Sequence, residues 1–424
     1  MWIWNWSGAF LIKAILLGLD QGDLDFEASM EETRALMEAA DLECLYSLFQ
    51  KAKNNASHYV KSGKLLEVQL ALQSMDVDLL ITNDALSPSQ HRNLSEALNV
   101  EVWDRTQLIL AIFGSRAQDR ASKLQVEVAR LSYLLPRMSL THHSSGREQG
   151  GGARNRGSGE QALALAKRVT LRQLHKAESE LKELEAQREV QARLRQRNAI
   201  FTIALVGYTN AGKSTLMNRL NQKFGKEVKQ VNANDRLFES LSPSARYGEI
   251  DGLPVLFLDT VGFVSRLPHS LVKAFHSTLK VVQEADLIIH VNDASSANWY
   301  LEKEVTLQTL NELEVLDKPR IEVNNKMDLG PCSGLCISAK EGTNCDLLYD
   351  RIKSKMLEIR PLMELFVPFE QSEVLESIKA HYTIQAIVEE DEGYRIQLKY
   401  HPTLKAEHRA FERSSYDHHH NPKH

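Results

Sequence analysis

Residues 207–215 of this 424-residue chain read Gly-Tyr-Thr-Asn-Ala-Gly-Lys-Ser-Thr and are the strongest indication of its fold. They have the GxxxxGKS pattern of a phosphate-binding loop, whose backbone N–H groups and following helix cradle phosphates. Residues 203–206 before it form a short apolar run, and apolar side chains recur at helical spacing after it, at Leu216, Met217 and Leu220. The loop therefore has the strand–loop–helix context that phosphate binding requires.

Particular roles follow for the residues of this loop. We expect Gly207 and Gly212 to permit its tight turns, Lys213 to reach the outer phosphates and Ser214 to offer its hydroxyl to Mg²⁺. A glycine turn without a ligand is the alternative, and the flanks on both sides argue against it. The predicted phosphate-binding residues are Gly207, Tyr208, Thr209, Asn210, Ala211, Gly212, Lys213, Ser214 and Thr215.

A second phosphate-site motif follows the apolar segment 255–258. It consists of Asp259, Thr260, Val261 and Gly262. An aspartate at the carboxyl end of a strand is placed to hold Mg²⁺, and the glycine N–H is placed to sense the γ-phosphate. Capping of a turn is the alternative for Asp-x-x-Gly alone, but the order of the two motifs is typical of nucleotide hydrolases.

A third apolar segment, 321–323, leads into Asn325, Lys326, Met327 and Asp328. A carboxylate accepts hydrogen bonds from the ring N–H and the exocyclic amine of guanine, and adenine has no such donor pair. Discrimination is large because a polar group left unpaired costs roughly 1–3 kcal/mol. Asp328 thus favours GTP over ATP, and the later residues Ser338, Ala339 and Lys340 fit the loop that closes over the base.

These motifs, with further strings, resemble the HflX type within the Obg–HflX branch of phosphate-loop GTPases. The strings include Leu-Ser-Pro-Ser-Gln at 86–90, Asp-Arg-Thr at 104–106, Tyr-Leu-Leu-Pro-Arg at 133–137 and Leu-Pro-His at 267–269. The resemblance covers about residues 14–410. It implies a GTPase that binds the large (50S-type) ribosomal subunit and splits or rescues stalled ribosomes, with rRNA as a partner.

The first switch departs from the family pattern. At 238–246 the chain reads Phe-Glu-Ser-Leu-Ser-Pro-Ser-Ala-Arg where the family has Phe-Ala-Thr-Leu-Asp-Pro-Thr-Thr-Arg. Phe238 is predicted to belong to the nucleotide-binding site. Ser240 takes the place of the threonine whose hydroxyl closes on Mg²⁺. The resemblance therefore implies a metal site of Ser214, Ser240 and Asp259.

Catalysis is expected to be unusual, because Phe263 follows Asp-x-x-Gly where many GTPases have a glutamine that orients water. We expect slow intrinsic turnover that rises on the ribosome, with Lys213 and Asn210 as the catalytic candidates. In related GTPases an asparagine at the position of Asn210 helps to hold K⁺ near the phosphates, so K⁺ stimulation is one hypothesis. Stabilisation of the loop turn by Asn210 is the other.

The predicted fold is α/β and multidomain: a helical hairpin joins an N-terminal α/β domain to the GTPase domain, and a small C-terminal α+β domain follows. The hairpin is predicted from Leu124, Val128, Leu131 and Leu135 on one helical face and from Leu174, Leu181 and Leu184 on another. The expected boundaries are 1–13 (a Trp-rich lead of unknown role), 14–115, 116–199 (hairpin, with a Gly/Arg-rich loop at 141–161), 200–360 (GTPase), 361–413, and 414–424 (a disordered His-rich tail).

Charge indicates where nucleic acid would bind. The whole chain has a net charge of −5, which does not indicate a general DNA binder. Residues 116–200, however, contain 17 Lys and Arg against 9 Asp and Glu, a local net charge of +8. This segment is the leading candidate for rRNA contact, and a solvated helical surface is the alternative.

Cysteine usage and hydropathy suggest a location. Four cysteines, Cys44, Cys332, Cys336 and Cys345, lack zinc spacing and a disulfide-rich pattern, so we expect reduced thiols in the cytoplasm. No segment has the length of a transmembrane span, although the Trp-rich lead leaves peripheral membrane contact open. A monomer is expected.

The alternative function is a nucleotide-gated ribosome-assembly or regulatory module with slow or vestigial hydrolysis.

Overall fold

A computed structural model describes residues 12–23, 25–138, 154–197, 200–225, 244–260, 262–265, 281–360, 362–382, 384–398 and 404–412; within these, the side chains of 154–160, 188, 191–197 and 406 are not described. The chain divides into two compact units. One comprises Met1–Ala186, Asn234–Ser242 and Val264–Leu279, and the other Gln187–Ala233, Pro243–Phe263 and Lys280–His424. The predicted Trp-rich lead lies outside the described residues apart from Ile12 and Lys13, and the predicted His-rich tail lies wholly outside them.

The first unit contains a four-stranded parallel sheet in the order β2-β1-β3-β4. Its strands are β1 (Ile12–Asp20), β2 (Leu42–Lys51), β3 (Leu79–Thr82) and β4 (Glu101–Trp103). The helices between them are α1 (Phe26–Ala39), α2 (Ser62–Ser74), α3 (Pro88–Leu98) and α4 (Arg105–Arg116). Strands β1 and β3 each contain an unbroken run of buried residues, because a central parallel strand is covered on both faces.

Two of the N-terminal strings have structural roles in this unit. Ser87 and Gln90 form a capping box at the start of α3, with Pro88 in the first turn. Asp104 caps α4 by accepting a hydrogen bond from the Gln107 N–H at 2.9 Å. The same buried carboxylate accepts from the Leu86 N–H and pairs with Arg137. These strings thus join α3, α4 and the following helix.

Two long helices follow, α5 (Arg120–Met138) and α6 (Arg154–Arg197). They touch where Arg120 pairs with Glu180 at 2.9 Å and where the Thr170 hydroxyl lies 3.6 Å from the Met138 sulfur. Because the start of α5 contacts the later position of α6, the helices are antiparallel, as expected of a hairpin.

The structure corrects two expectations about this hairpin. Helix α6 begins at Arg154, so the predicted Gly/Arg-rich loop is too long; its last residues continue the helical run, since a glycine within a helix costs only about 1 kcal/mol. The buried face of α5 also differs from the Leu124, Val128, Leu131 and Leu135 face. Only Leu131 of these is buried, and the buried stripe runs instead through Ala121, Ser122, Gln125, Val126, Ala129, Leu131 and Tyr133.

The second unit is built on a five-stranded sheet in the order β6-β7-β5-β8-β9, parallel except for β6. The strands are β5 (Phe201–Val206), β6 (Ser244–Ile250), β7 (Leu253–Asp259), β8 (Leu287–Asp293) and β9 (Arg320–Asn325), and the helices are α7 (Lys213–Phe224), α8 (Trp299–Glu312) and α9 (Cys345–Ile359). A core of buried side chains lies between the sheet and helices α7 and α9. The three predicted motifs lie at the carboxyl ends of strands: the phosphate loop follows β5, Asp259 ends β7 and Asn325 ends β9.

The second unit also contains a three-stranded antiparallel sheet. It consists of β10 (Met363–Pro368), β11 (Ile384–Glu390) and β12 (Gly393–Leu398) in the order β10-β12-β11, with helix α10 (Ser372–His381) packed against it. Short 3-10 helices span Phe369–Gln371 and Ala406–Phe411. The predicted α/β multidomain class with an α+β C-terminal part is therefore confirmed. None of the helices among the described residues is long and apolar enough to cross a membrane.

Candidate active site

The phosphate loop connects β5 to α7 and is held open by backbone geometry. Gly207 and Gly212 have φ angles of +154° and +89°, which L side chains rarely adopt. A Cβ on Gly207 would meet the Val291 carbonyl oxygen at 2.2 Å, and one on Gly212 would meet the Asn325 amide nitrogen at 2.1 Å. Glycine is therefore required at both positions for backbone shape and for close approach.

Lys213 lies in the first turn of α7 and is almost fully buried. Its Nζ donates to the carbonyl oxygens of Gly207 and Tyr208 at 3.0 and 2.7 Å, so the ammonium sits inside the loop. Burial lowers the pKa of Lys213 to about 8, and the nearby Asp259 carboxylate opposes that shift. A buried cation of this kind is stabilised by any anion that enters the loop.

Ser214 and Asp259 bring oxygen atoms together beside this lysine. The Ser214 hydroxyl donates to Asp259 Oδ2 at 2.9 Å, and Asp259 is 1% exposed at the carboxyl end of β7. The next residue, Thr260, is fixed by a hydrogen bond from its hydroxyl to the Leu205 carbonyl at 2.7 Å. The structure thus places two of the three predicted metal ligands side by side. Ser240, the third, lies outside the described residues, as do Phe238 and Val261.

The chain after Asp259 pairs directly with the phosphate loop. The Thr209 N–H donates to the Phe263 carbonyl at 2.8 Å, and the Phe263 N–H donates to the Gly207 carbonyl at 3.1 Å. Gly262 lies so close that an added Cβ would be 2.8 Å from the Thr209 Cα and 3.0 Å from Lys213 Nζ. Phe263 is buried, so its ring serves packing and cannot orient water by hydrogen bonding. A change at Gly262 is therefore transmitted to the loop.

Asn325 connects the phosphate side of the site with the base side. Its side-chain amide donates to the Ala211 carbonyl at 2.9 Å and accepts from the Ala339 N–H at 2.9 Å. Asn325 ends β9 and is buried, as are both partners. One side chain thus holds the phosphate loop against the segment that contains Ser338 and Lys340.

Asp328, the predicted guanine-selecting residue, is exposed to solvent. A hydrogen bond from the Ser338 hydroxyl is the largest cause holding the pKa of Asp328 below its usual value, and Lys340 and Lys326 act in the same direction. The carboxylate is therefore ionised at neutral pH. Met327 is held by its N–H to the Ile337 carbonyl at 3.1 Å.

Several contacts of the predicted site residues were not expected from the sequence. Lys326 pairs with Asp293 at 2.7 Å, and an acidic residue at the carboxyl end of β8 could have indicated this pair. On α7, the Arg219 guanidinium donates to the carbonyl oxygens of Ala339 (2.8 Å) and Lys340. No motif indicated Arg219, because its partners are more than a hundred residues away in sequence.

His290 is a further unexpected residue in the middle of β8. It is fully buried, and neither ring nitrogen has a hydrogen-bond partner among the described residues. Burial is the largest cause that lowers the pKa of His290 to about 4, and Glu322, with an oxygen 3.7 Å away, opposes the shift. The imidazole is therefore neutral at physiological pH.

The expectation that all cysteines are reduced is wrong for one pair. Cys332 and Cys336 form a disulfide, because the loop after Asp328 brings their Cα atoms to 6.0 Å. Cys44 and Cys345 are free thiols. Among the described residues, no group of three or more His, Cys, Asp or Glu side chains could hold a metal ion.

A phosphate-loop motif, an Asp-x-x-Gly motif and an Asn-Lys-x-Asp motif that follow three strands of one sheet at their carboxyl ends are typical of phosphate-loop GTPases. Three family models match in sequence order: "GTP-binding GTPase N-terminal" at 27–114, "GTP-binding GTPase Middle Region" at 116–195 and "50S ribosome-binding GTPase" at 202–326.

Curated relatives named "GTPase HflX" extend this match. The chain is 37% identical to one from Caldanaerobacter subterraneus over 89% of this chain and 88% of the relative, and 41% identical to one from Alkalihalophilus pseudofirmus over 74% of each. The relative from Escherichia coli is 36% identical, covering 72% of this chain and 71% of its own. The chain belongs to the HflX family of GTPases and is a GTP-hydrolysing enzyme.

Proposed function

We propose that this GTPase associates with the large (50S-type) ribosomal subunit and its rRNA in the cytoplasm, and that it splits or rescues stalled ribosomes as a monomer. The observation that carries the proposal is the match of residues 202–326 to a family described as a 50S ribosome-binding GTPase. The +8 charge of residues 116–200 supports rRNA as the ligand of the hairpin, since phosphate neutralisation provides sequence-independent affinity.

The predicted site residues have the following roles in this proposal. The backbone of residues 207–215 and the Lys213 ammonium hold the β- and γ-phosphates, and Asp328 with Asn325 selects guanine. The Ser214 and Asp259 oxygens, 2.9 Å apart, fit Mg²⁺, which prefers hard oxygen ligands and takes few from the protein. Ser240 completes the predicted set. Bound Mg²⁺ would neutralise charge on the phosphate oxygens.

Hydrolysis depends on groups other than the residue after Gly262. Phe263 is buried and has no polar side-chain atom, so water is oriented by backbone groups, by a partner or by neighbouring ions. Lys213 stabilises developing negative charge. Asn210 has a φ of +60°, a conformation in which asparagine is enriched, so loop geometry alone accounts for this residue and K⁺ binding stays a separate hypothesis.

Co-sedimentation with purified large subunits tests the association. With a non-hydrolysable GTP analogue the protein is expected to pellet with the subunits, and with GDP it should stay in the supernatant. Substitution of lysines and arginines in residues 161–187 should weaken pelleting and flatten its salt dependence. Equal pelleting with both nucleotides would contradict GTP-dependent association and favour the alternative, a nucleotide-gated module whose slow hydrolysis follows from Phe263.

A further inference from the structure

The disulfide between Cys332 and Cys336 lies at the proposed guanine site. It spans the loop between Asp328, which reads the base, and Ser338, whose hydroxyl bonds Asp328. The proposed guanine motif thus precedes this loop in the chain, and the base-closing segment follows it. Any change in the freedom of the loop must affect both.

The loop is attached to the strand that ends in Asn325. The Asn324 N–H donates to the Leu335 carbonyl at 2.8 Å, and the Ile337 N–H donates to the Asn324 carbonyl at 2.9 Å. The Asn324 side chain also donates to the Ser333 carbonyl at 2.6 Å. These hydrogen bonds and the disulfide together fix the conformation of the loop that precedes the base-closing segment.

Both cysteines can be reached by small thiols, because both are half-buried rather than enclosed. Their Cα separation of 6.0 Å is within the ordinary disulfide range, so the bond can form without moving the backbone. Cys345 lies on the neighbouring helix α9, but burial raises the pKa of its thiol, which makes it a poor nucleophile. The pair is therefore the chemically accessible one at this end of the site.

We propose that Cys332 and Cys336 form a reversible redox modification site whose oxidation slows the release of guanine nucleotide. The proposal rests on the guanine site proposed above. Disulfides in reducing compartments are usually transient and redox-sensing, and a pair that flanks a ligand loop suits that use.

The chemistry is thiol–disulfide exchange with a low-molecular-weight disulfide such as glutathione disulfide. One cysteine thiolate attacks a sulfur of the oxidant, forming a mixed disulfide and expelling one glutathione thiolate. The second cysteine attacks the protein sulfur of the mixed disulfide and expels the other. Two electrons pass from the protein to the oxidant, and the two protons of the cysteines end on the two glutathione molecules. A dithiol reductant reverses the sequence.

The oxidised loop holds Ser338 and Ala339 in place around the base, whereas the reduced loop is restrained only by its hydrogen bonds. Opening of the reduced loop should then cost less, and nucleotide should leave faster. We expect a change on the order of fivefold in the dissociation rate, similar to the loss of one ordinary hydrogen bond.

The test measures dissociation of fluorescent GDP from the full-length protein after treatment with glutathione disulfide or with dithiothreitol. Alkylation of free thiols followed by mass spectrometry assigns the state of each cysteine. The oxidised protein is expected to carry the 332–336 disulfide and to release GDP about fivefold more slowly. A Cys332→Ser/Cys336→Ser variant should release GDP at the reduced rate under both treatments.

A matched control, Cys44→Ser, should retain the full response, because it leaves the proposed pair and the contacts of Ser338 intact. If the disulfide forms and the rate does not change, or if the thiols stay free under oxidant, the redox proposal is wrong. Asp328→Asn separates this result from the underlying assignment: it should weaken GDP binding in both redox states. Unaltered GDP binding by Asp328→Asn would instead remove the guanine site itself.

Discussion

Replacing Asn325 with alanine should uncouple the two halves of the nucleotide site. The substitution removes the bonds to the Ala211 carbonyl and the Ala339 N–H, both 2.9 Å long. Both backbone partners are in residues that are 0% exposed, so each is left buried and unpaired at a cost of roughly 1–3 kcal/mol. We expect about 3 kcal/mol to be lost from nucleotide binding, or about a hundredfold in Kd.

Titration with fluorescent GDP measures this loss, and thermal unfolding shows whether the variant remains folded. Asn292→Ala is a matched control, because Asn292 is also a buried asparagine at this sheet edge, and within the described part of the chain its side chain bonds only the Asn324 side chain, at 3.1 Å. Its expected effect on Kd is less than about fivefold. If Asn325→Ala and Asn292→Ala weaken binding equally, the bridging role of Asn325 is refuted.

Three further predictions follow from single residues. His290 has a pKa of about 4 in the folded protein and an ordinary value of 6.5, so the unfolded state binds a proton first as the pH falls. The free energy of unfolding should therefore decrease as the pH falls from about 6.5 to about 4, and near pH 5 the loss should be about 2 kcal/mol. Urea titrations of the native protein, compared with His290→Leu, measure this loss. Equal pH profiles would exclude that role. Lys213, with a pKa of about 8, should lose its charge in the free protein above that pH, and GDP affinity should fall about tenfold from about pH 7 to about pH 9; a constant Kd would contradict a functional cation. If Asn210 holds K⁺, GTP turnover should be faster in KCl than in NaCl at equal ionic strength, and Asn210→Ala should abolish the difference; equal rates for the native protein would leave loop geometry as its role.

The parts of the fold that sequence reasoning reached are those with a local signal. Strands β5, β7 and β9 contain the apolar segments 203–206, 255–258 and 321–323, because each is a short apolar run that ends at a motif. The phosphate loop was recognisable because glycine is required where φ is positive, as at Gly212. Such constraints act within a few residues and therefore leave a pattern.

The missed features depend on contacts that no local pattern encodes. The buried face of α5 includes Ser122 and Gln125, polar side chains that an apolar periodicity does not count; the Ser122 hydroxyl is satisfied by Asp119 at 2.8 Å. Arg219 bonds carbonyl groups of the base-closing segment, which only tertiary folding brings near. The Cys332–Cys336 bond likewise depends on the path of the loop, since spacing alone does not specify pairing.

We expect this site to hydrolyse GTP under the control of the large ribosomal subunit. The most direct measurement is the rate of GTP turnover with and without purified large subunits, using Lys213→Ala to subtract background hydrolysis. A GTPase that lacks a water-orienting glutamine should be slow alone and at least about tenfold faster with subunits. A rate that large subunits leave unchanged would contradict the account.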